Sequence, residues 1–198
     1  MRVKRDQLDD LRVIAVGASA GGVQALSELA SRLPPDLPAA VLVVLHLSPH
    51  GHSVLPAILS RAGTLPALHA QDGEGLKPGR IYVAPPDHHL LVEDGRLQLS
   101  RSAAEHGHRP AIDATFRSAA LAYGPRCVGV VLTGNLDDGA AGLAAIKKSG
   151  GITVVQDPKD ALYPSMPERA IAAVAVDHVL PVADIASLLA DLARVTRP

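Results

Sequence analysis

Two short runs, Ala40–Leu45 and Val128–Leu132, are apolar at almost every position. A strand with one wet face alternates apolar and polar residues. A run that does not alternate is covered on both faces, the condition of a parallel sheet between two helix layers. Further strand candidates recur around them: Arg12–Gly17, Gly79–Ala84, Arg126–Leu132, Gly151–Gln156 and Asp177–Leu180. Between these lie helical patterns over Gly22–Arg32, Ser53–Ala62, Ile112–Ala122, Ala140–Ser149, Pro167–Ala173 and Ala183–Val195. Ser165, Pro167 and Glu168 read as N-cap, first-turn proline and closure of a capping box. Leu90–Glu93 and Arg96–Leu99 flank Asp94-Gly95, the dipeptide that favours a type I′ hairpin. The expectation is an α/β fold: a single doubly wound, mainly parallel sheet with helices on both faces and one antiparallel hairpin. Residues 1–10 read as an N-terminal extension, 11–198 as one domain, and Ser100–His108 as a mobile surface loop.

Composition narrows the function classes. Aromatic residues make up only 2% of the chain, too few for a base-stacking surface, and a formal net charge of −1 provides no basic field for phosphate backbones. Nucleic acid is therefore not an expected partner. Cys127 is the only cysteine, which excludes an internal disulfide and any cysteine-cluster zinc site; in its apolar run it reads as a buried small hydrophobe. No signal-peptide pattern opens the chain and no run of about 18 apolar residues occurs, so a cytoplasmic protein without membrane insertion is expected.

The segment Gly17-Ala18-Ser19-Ala20-Gly21-Gly22 follows the first strand and opens the first helix. As a dinucleotide fingerprint it has Ser19 where a glycine should let the pyrophosphate approach, and the strand Ala40–Leu45 runs into His46, not an acidic residue. As a P-loop it lacks the Gly-Lys-Ser/Thr ending. As a nucleophile elbow it fits G-x-S-x-G in its strand–turn–helix context; a purely structural glycine turn fits as well. A seryl nucleophile needs a base and an orienting carboxylate from the same sheet edge. His46 follows Ala40–Leu45, while Asp137 and Asp138 follow Arg126–Leu132 within Thr133-Gly134-Asn135-Leu136-Asp137-Asp138-Gly139. Three strands thus deliver Ser, His and Asp to one rim. Taken singly, His46 reads as a solvated loop residue, and Asp138 as a cap for the helix at Ala140–Ser149.

The order Ser, His, Asp is not that of the α/β-hydrolases. Residues Val13–Gly22, Leu45-His46-Leu47-Ser48-Pro49 and Val83-Ala84-Pro85-Pro86-Asp87-His88-His89 resemble the catalytic domain of the CheB family of chemotaxis protein-glutamate methylesterases. Arg109–Asp113 with Phe116–Ala120, Val131–Gly142, and Gln156-Asp157-Pro158 to Met166-Pro167 continue the resemblance in the family's order.

The resemblance implies a serine esterase that hydrolyses glutamyl methyl esters on chemoreceptor cytoplasmic helices and also deamidates glutamines, without a cofactor or metal. By position Ser19 is the nucleophile, His46 the general base and Asp138 the triad acid. Ala20, Gly21, Gly22 and Asn135 fall where backbone N–H groups stabilise the oxyanion, and His89 is a supporting histidine. The family's Thr-Gly-Met-Gly turn stands here as Thr133-Gly134-Asn135-Leu136; Ala20 replaces a common Thr, and Pro86 and Ser165 each replace a usual glycine. Regulated members carry a receiver domain, so such a domain acting in trans is an implied partner. A non-catalytic binding or scaffold module of the same fold is the alternative.

Other groupings carry less. His46, His50 and His52 invite a metal reading but lie in a Pro/Gly-interrupted stretch without a nearby carboxylate motif. His88-His89 and His106/His108 read as solvated loop residues. Arg101, Arg109 and Arg117 read either as a cationic lip for acidic helices or as scattered surface arginines.

Overall fold

The computed structural model describes residues 11–46, 51 and 53–195. The N-terminal extension, His50 and His52 lie outside the described residues. Seven parallel strands form one sheet: β1 (Arg12–Ala18), β2 (Ala39–Leu45), β3 (Ala67–His69), β4 (Arg80–Val83), β7 (Cys127–Val131), β8 (Ile152–Gln156) and β9 (His178–Leu180). Their order is β3-β4-β2-β1-β7-β8-β9. The antiparallel pair β5 (His89–Glu93) and β6 (Arg96–Ser100) turns through Asp94 and Gly95, both at positive φ as a type I′ turn requires. The helices are α1 (Gly22–Arg32), α2 (Leu55–Ala62), α3 (Ile112–Tyr123), α4 (Ala140–Lys148), α5 (Ser165–Ala173) and α6 (Val182–Arg194).

The non-alternating runs are the central strands. Every residue of β1, β2 and β7 is buried. Alternate side chains feed two cores. Ile14, Val16, Val41 and Val43 meet α1, α2 and α6 through Leu26, Leu59 and Leu189. Val13, Ala15, Leu42 and Val44 meet α3, α4 and α5 through Phe116, Ile146 and Ala170, and the hairpin adds Leu90 and Leu97 to this second core. Cys127 is fully buried there, and burial pushes its thiol up to about 12, as expected of an inert small hydrophobe.

Two local expectations are corrected. Strand β3 was not anticipated: it has only three residues, all half-buried, on the sheet edge. Ser165 is the first residue of α5 and not its cap; Pro164 holds the cap position, no side chain closes a capping box, and Glu168 N–H donates to the Pro164 carbonyl.

The chain runs from β1 outward through β2, then returns to the other side of β1 as β7. Strand order therefore reverses between β1 and β7, at the carboxyl edge, where open α/β sheets form their binding crevices.

Candidate active site

Parallel register sets the site. Ala18 pairs with Leu45 and Gly17 with Val131, so Ser19, His46 and the turn after β7 leave the sheet side by side. Ser19 N–H donates to the Thr133 carbonyl (3.0 Å) and His46 N–H to the Ala18 carbonyl (3.4 Å). Ser19 Oγ lies 3.0 Å from His46 Nδ1, and His46 Nε2 lies 2.7 Å from Asp138 Oδ2. An ionised carboxylate only accepts, so Nε2 carries the proton and Nδ1 presents its lone pair to the serine hydroxyl.

Asp138 is held from below. Its Oδ2 also accepts Ile112 N–H (2.7 Å) and its Oδ1 accepts Asp113 N–H (2.9 Å), buried donors of the first turn of α3 that have no acceptor within the helix. Asp113 returns the contact: its Oδ1 accepts Gly139 N–H (3.0 Å) and Gly142 N–H (2.6 Å) at the start of α4. The two acids thus cap each other's neighbouring helix. This corrects the reading of Asp138 as the cap of the helix that follows it: Asp113 serves α4, and Asp138 serves α3. Gly17 permits the arrangement, since a Cβ there would come within 2.4 Å of Ile112 Cγ2.

The two carboxyls are shifted in opposite senses. At Asp138 burial pulls upward, but the His46 ring and the two N–H groups outweigh it and hold the group below the ordinary carboxylate range. At Asp113 burial wins over the Gly142 N–H and His106, and the carboxyl lies above that range. His106 Nε2 sits 2.9 Å from Asp113 Oδ2. His106, Asp113 and Asp138 place donor atoms within 4.8 Å of one another. Both carboxylates are already occupied by backbone N–H and imidazole partners, so the trio is a hydrogen-bonded network and is assigned no metal.

The Ser19 side is open. Among the described residues, no hydrogen bond engages the N–H groups of Ala20, Gly21 or Asn135, which leaves them available to a developing oxyanion. Gly22 is a correction: its N–H already donates to the Ser19 carbonyl at 2.8 Å. Gly134 packs against Ser19, and a Cβ there would come within 2.9 Å of Ser19 Cβ and 2.7 Å of Met166 Cε. Asn135 and Leu136 are exposed, and Leu136 holds φ 66°. Thr133 N–H is fixed by the buried Gln156 Oε1 (2.8 Å), and Thr133 Oγ1 accepts Tyr163 N–H (2.8 Å). A shallow cleft beside Ser19 is lined by Gly21, Gly22, Val23, Gln24 and Leu45.

His89 does not touch the triad. Its Nε2 lies 3.1 Å from the Ala103 carbonyl, and its Nδ1 accepts Ala111 N–H at 3.2 Å, which ties down the segment leading into α3. Ser100–His108, read as mobile, is anchored: Arg117 grips both Glu105 oxygens at 2.7 Å, and Arg109 donates to the carbonyls of Arg101 and Ser102. The cationic lip is also corrected. Arg101 and Arg109 both pair with Asp87, and Arg117 with Glu105. His88 Nδ1 contacts the Pro86 carbonyl. His108 is no solvated loop residue: its ring stacks on His46. Asp113, His108 and Gln156 were not anticipated as site residues, and only Asp113, an acid in the first turn of a helix, carried even a local signal.

A Ser–His–Asp constellation on the carboxyl edge of a doubly wound parallel sheet marks a class of α/β protein. The family model described as CheB methylesterase matches residues 14–189, and the chain belongs to that family. The crystal structure of the Thermotoga maritima CheB methylesterase catalytic domain aligns with a TM-score of 0.88 at 33% identity, over 91% of this chain and 98% of that one. An Anaeromyxobacter dehalogenans relative named protein-glutamate methylesterase/protein-glutamine glutaminase 2 is 39% identical over 93% of this chain and 54% of its own length. A Leptospira interrogans relative is 38% identical over 88% of this chain and 91% of its own. The chain spans about half the length of the Anaeromyxobacter relative.

Proposed function

We propose that the chain is a serine esterase that hydrolyses glutamyl methyl esters on a methylated chemoreceptor-type protein. The relay from Ser19 Oγ through Nδ1 and Nε2 of His46 to Asp138 Oδ2, with links of 3.0 and 2.7 Å, carries the reading. His46 Nδ1 takes the hydroxyl proton as Ser19 Oγ bonds to the ester carbonyl carbon. The carbonyl π pair moves onto oxygen, which the free N–H groups of Ala20, Gly21 and Asn135 receive. Collapse breaks the bond to methoxide, which takes the proton from Nδ1 and leaves as methanol. Water then adds to the acyl-enzyme with the same base, and the glutamyl carboxylate and Ser19 are restored. Ammonia in place of methanol gives glutamine deamidation by the same steps. Asp138, kept ionised, stabilises the imidazolium and holds its tautomer.

Exposed Val23 lines the cleft beside Ser19, and exposed Leu162 and Tyr163 pack against the neighbouring Gly21, an apolar rim suited to the face of a protein helix rather than a small ester. A receptor's cytoplasmic helix as substrate puts the reaction in the cytoplasm, with a receiver domain in trans as a candidate partner. No described helix is long and apolar enough to cross a membrane. A methanol-release assay on methylated receptor fragments tests the reading: release by the wild type but not by Ser19→Ala is expected, and no release contradicts it. One observation favours the second reading, a binding module that kept the fold. Leu136, not a glycine, occupies left-handed backbone in the turn that aims the Asn135 donor. A module of that kind would retain receptor fragments without releasing methanol.

A further inference from the structure

The proposed chemistry leaves one intimate contact of the base unused. The His108 ring lies on the His46 ring with centroids 3.6 Å apart and planes 9° from parallel. The two side-chain hydrogen bonds of His46, to Ser19 and to Asp138, both lie at ring nitrogens. They fix the ring within its plane but leave the line joining the two nitrogens as a hinge. A flat group stacked on one face stops rotation about that line, and it keeps water off that face. The backbone beneath His108 is held firmly: Glu105 and His108 exchange N–H···O bonds of 3.0 and 2.7 Å, Glu105 is gripped by Arg117, and His106 by Asp113.

We propose that His108 in its neutral form is a positioning residue for the base, clamping the His46 ring in the plane that joins Ser19 Oγ to Asp138. The inference rests on the esterase reading above. A neutral ring is required, because a charged one would oppose the imidazolium formed when His46 takes the serine proton. Burial, followed by repulsion from His46, lowers the His108 imidazole's proton affinity. The other charged and titratable groups near the pair are Asp138, bonded to His46, His106 on the same loop with its partners Asp113 and Asp137, and the closed Arg117–Glu105 pair. Of these, Asp138 favours His108 protonation and His106 opposes it.

The test is the rate of Ser19 phosphonylation by an organophosphonate ester, measured from pH 5 to 9 on wild type, His108→Ala and His108→Phe, with Ser19→Ala as blank. Phenylalanine keeps a flat face and cannot ionise. His108→Ala is expected to react about 10- to 100-fold more slowly, the scale of a misplaced reacting group. His108→Phe should come within about threefold of wild type at neutral pH and fall off less steeply toward acid, since a second ring no longer charges. With a methyl-ester substrate the alanine loss should lie in kcat, with KM nearly unchanged. Wild-type rates in His108→Ala, or a His108→Phe rate no better than that of alanine, overturn the clamp. Should the alanine variant fail to fold, a folded phenylalanine variant slowed more than about tenfold still overturns it. A wild type that does not label at Ser19 overturns the esterase reading and this proposal together, whereas labelling that is indifferent to His108 removes the proposal alone.

Discussion

The two sides of the site are built differently. On the acid side, Asp138 and Asp113 are each about 1% exposed, and between them they accept four backbone N–H groups and two imidazoles. On the Ser19 side, Asn135 and Leu136 stand in solvent, and backbone donors remain free among the described residues. The difference separates what holds the fold from what stays open for a reacting group. Removing a buried acceptor strands its donors, whereas trimming an exposed side chain leaves a backbone N–H where it was. Acid-side changes should therefore cost stability and rate together, whereas trimming an exposed turn side chain should cost little of either.

The largest expected effect sharpens the shared element of both sides. Ser19→Ala and His46→Ala should each lower kcat by about 10⁴ to 10⁶, and the double variant should be little worse, because the members act as one unit. Kinetics showing independent, multiplicative losses would break the unit apart. Asp138→Asn should lose about 10³ to 10⁴ in kcat, since an amide can donate to Nε2 and favour the wrong tautomer. Asp138→Ala adds a folding penalty of about 2–5 kcal/mol by urea denaturation, from the orphaned Ile112 and Asp113 N–H groups. Asp113→Ala should cost about 1–3 kcal/mol through the α4 donors while acting on kcat only indirectly.

The opposite carboxyl shifts give opposite pH slopes. Asp138's folded value lies below its unfolded one, so its contribution is complete above the unfolded value near 3.9 and is lost as pH falls through the folded value. Asp113's folded value is raised, so its burial costs nothing while it is protonated in both states, and the cost grows as pH rises from the unfolded to the folded value. Asp138→Asn should flatten the acid loss of stability, and Asp113→Asn should steepen it. Urea denaturation between pH 3 and 6 checks the signs; the same slope change in both would contradict them. Smallest is Asn135→Ala. Its side chain is exposed and its N–H survives, so stability within about 0.5 kcal/mol and a rate within a few-fold are expected. A large rate loss would show that the side chain, not the backbone, meets the substrate.

How much of this the sequence disclosed follows the same division. The sheet was legible because Ala40–Leu45 cannot tolerate a wet face, and the convergence of Ser19, His46 and Asp138 because three strand ends must share an edge once the sheet is parallel. The hairpin was legible in Asp94-Gly95. Strand β3 was not, because Ala67–His69 is too short to show a period. Ser165 misled because a cap motif in sequence does not fix where the helix starts. The acid-side network was hidden for a different reason. Asp113 meets residues 26 and 29 positions away, and Arg109 meets Asp87 22 away, so contacts made only on folding decide which charges are spent. Nothing local distinguishes His108 from a solvated loop histidine.

The central claim is that Ser19 is activated by His46. Its most direct measurement is stoichiometric reaction with an organophosphonate followed by peptide mapping. Modification is expected at Ser19, at neutral pH, nearly abolished by His46→Ala and strongly slowed by Asp138→Asn. Modification at another serine, or at Ser19 with undiminished speed in the His46→Ala protein, would contradict it.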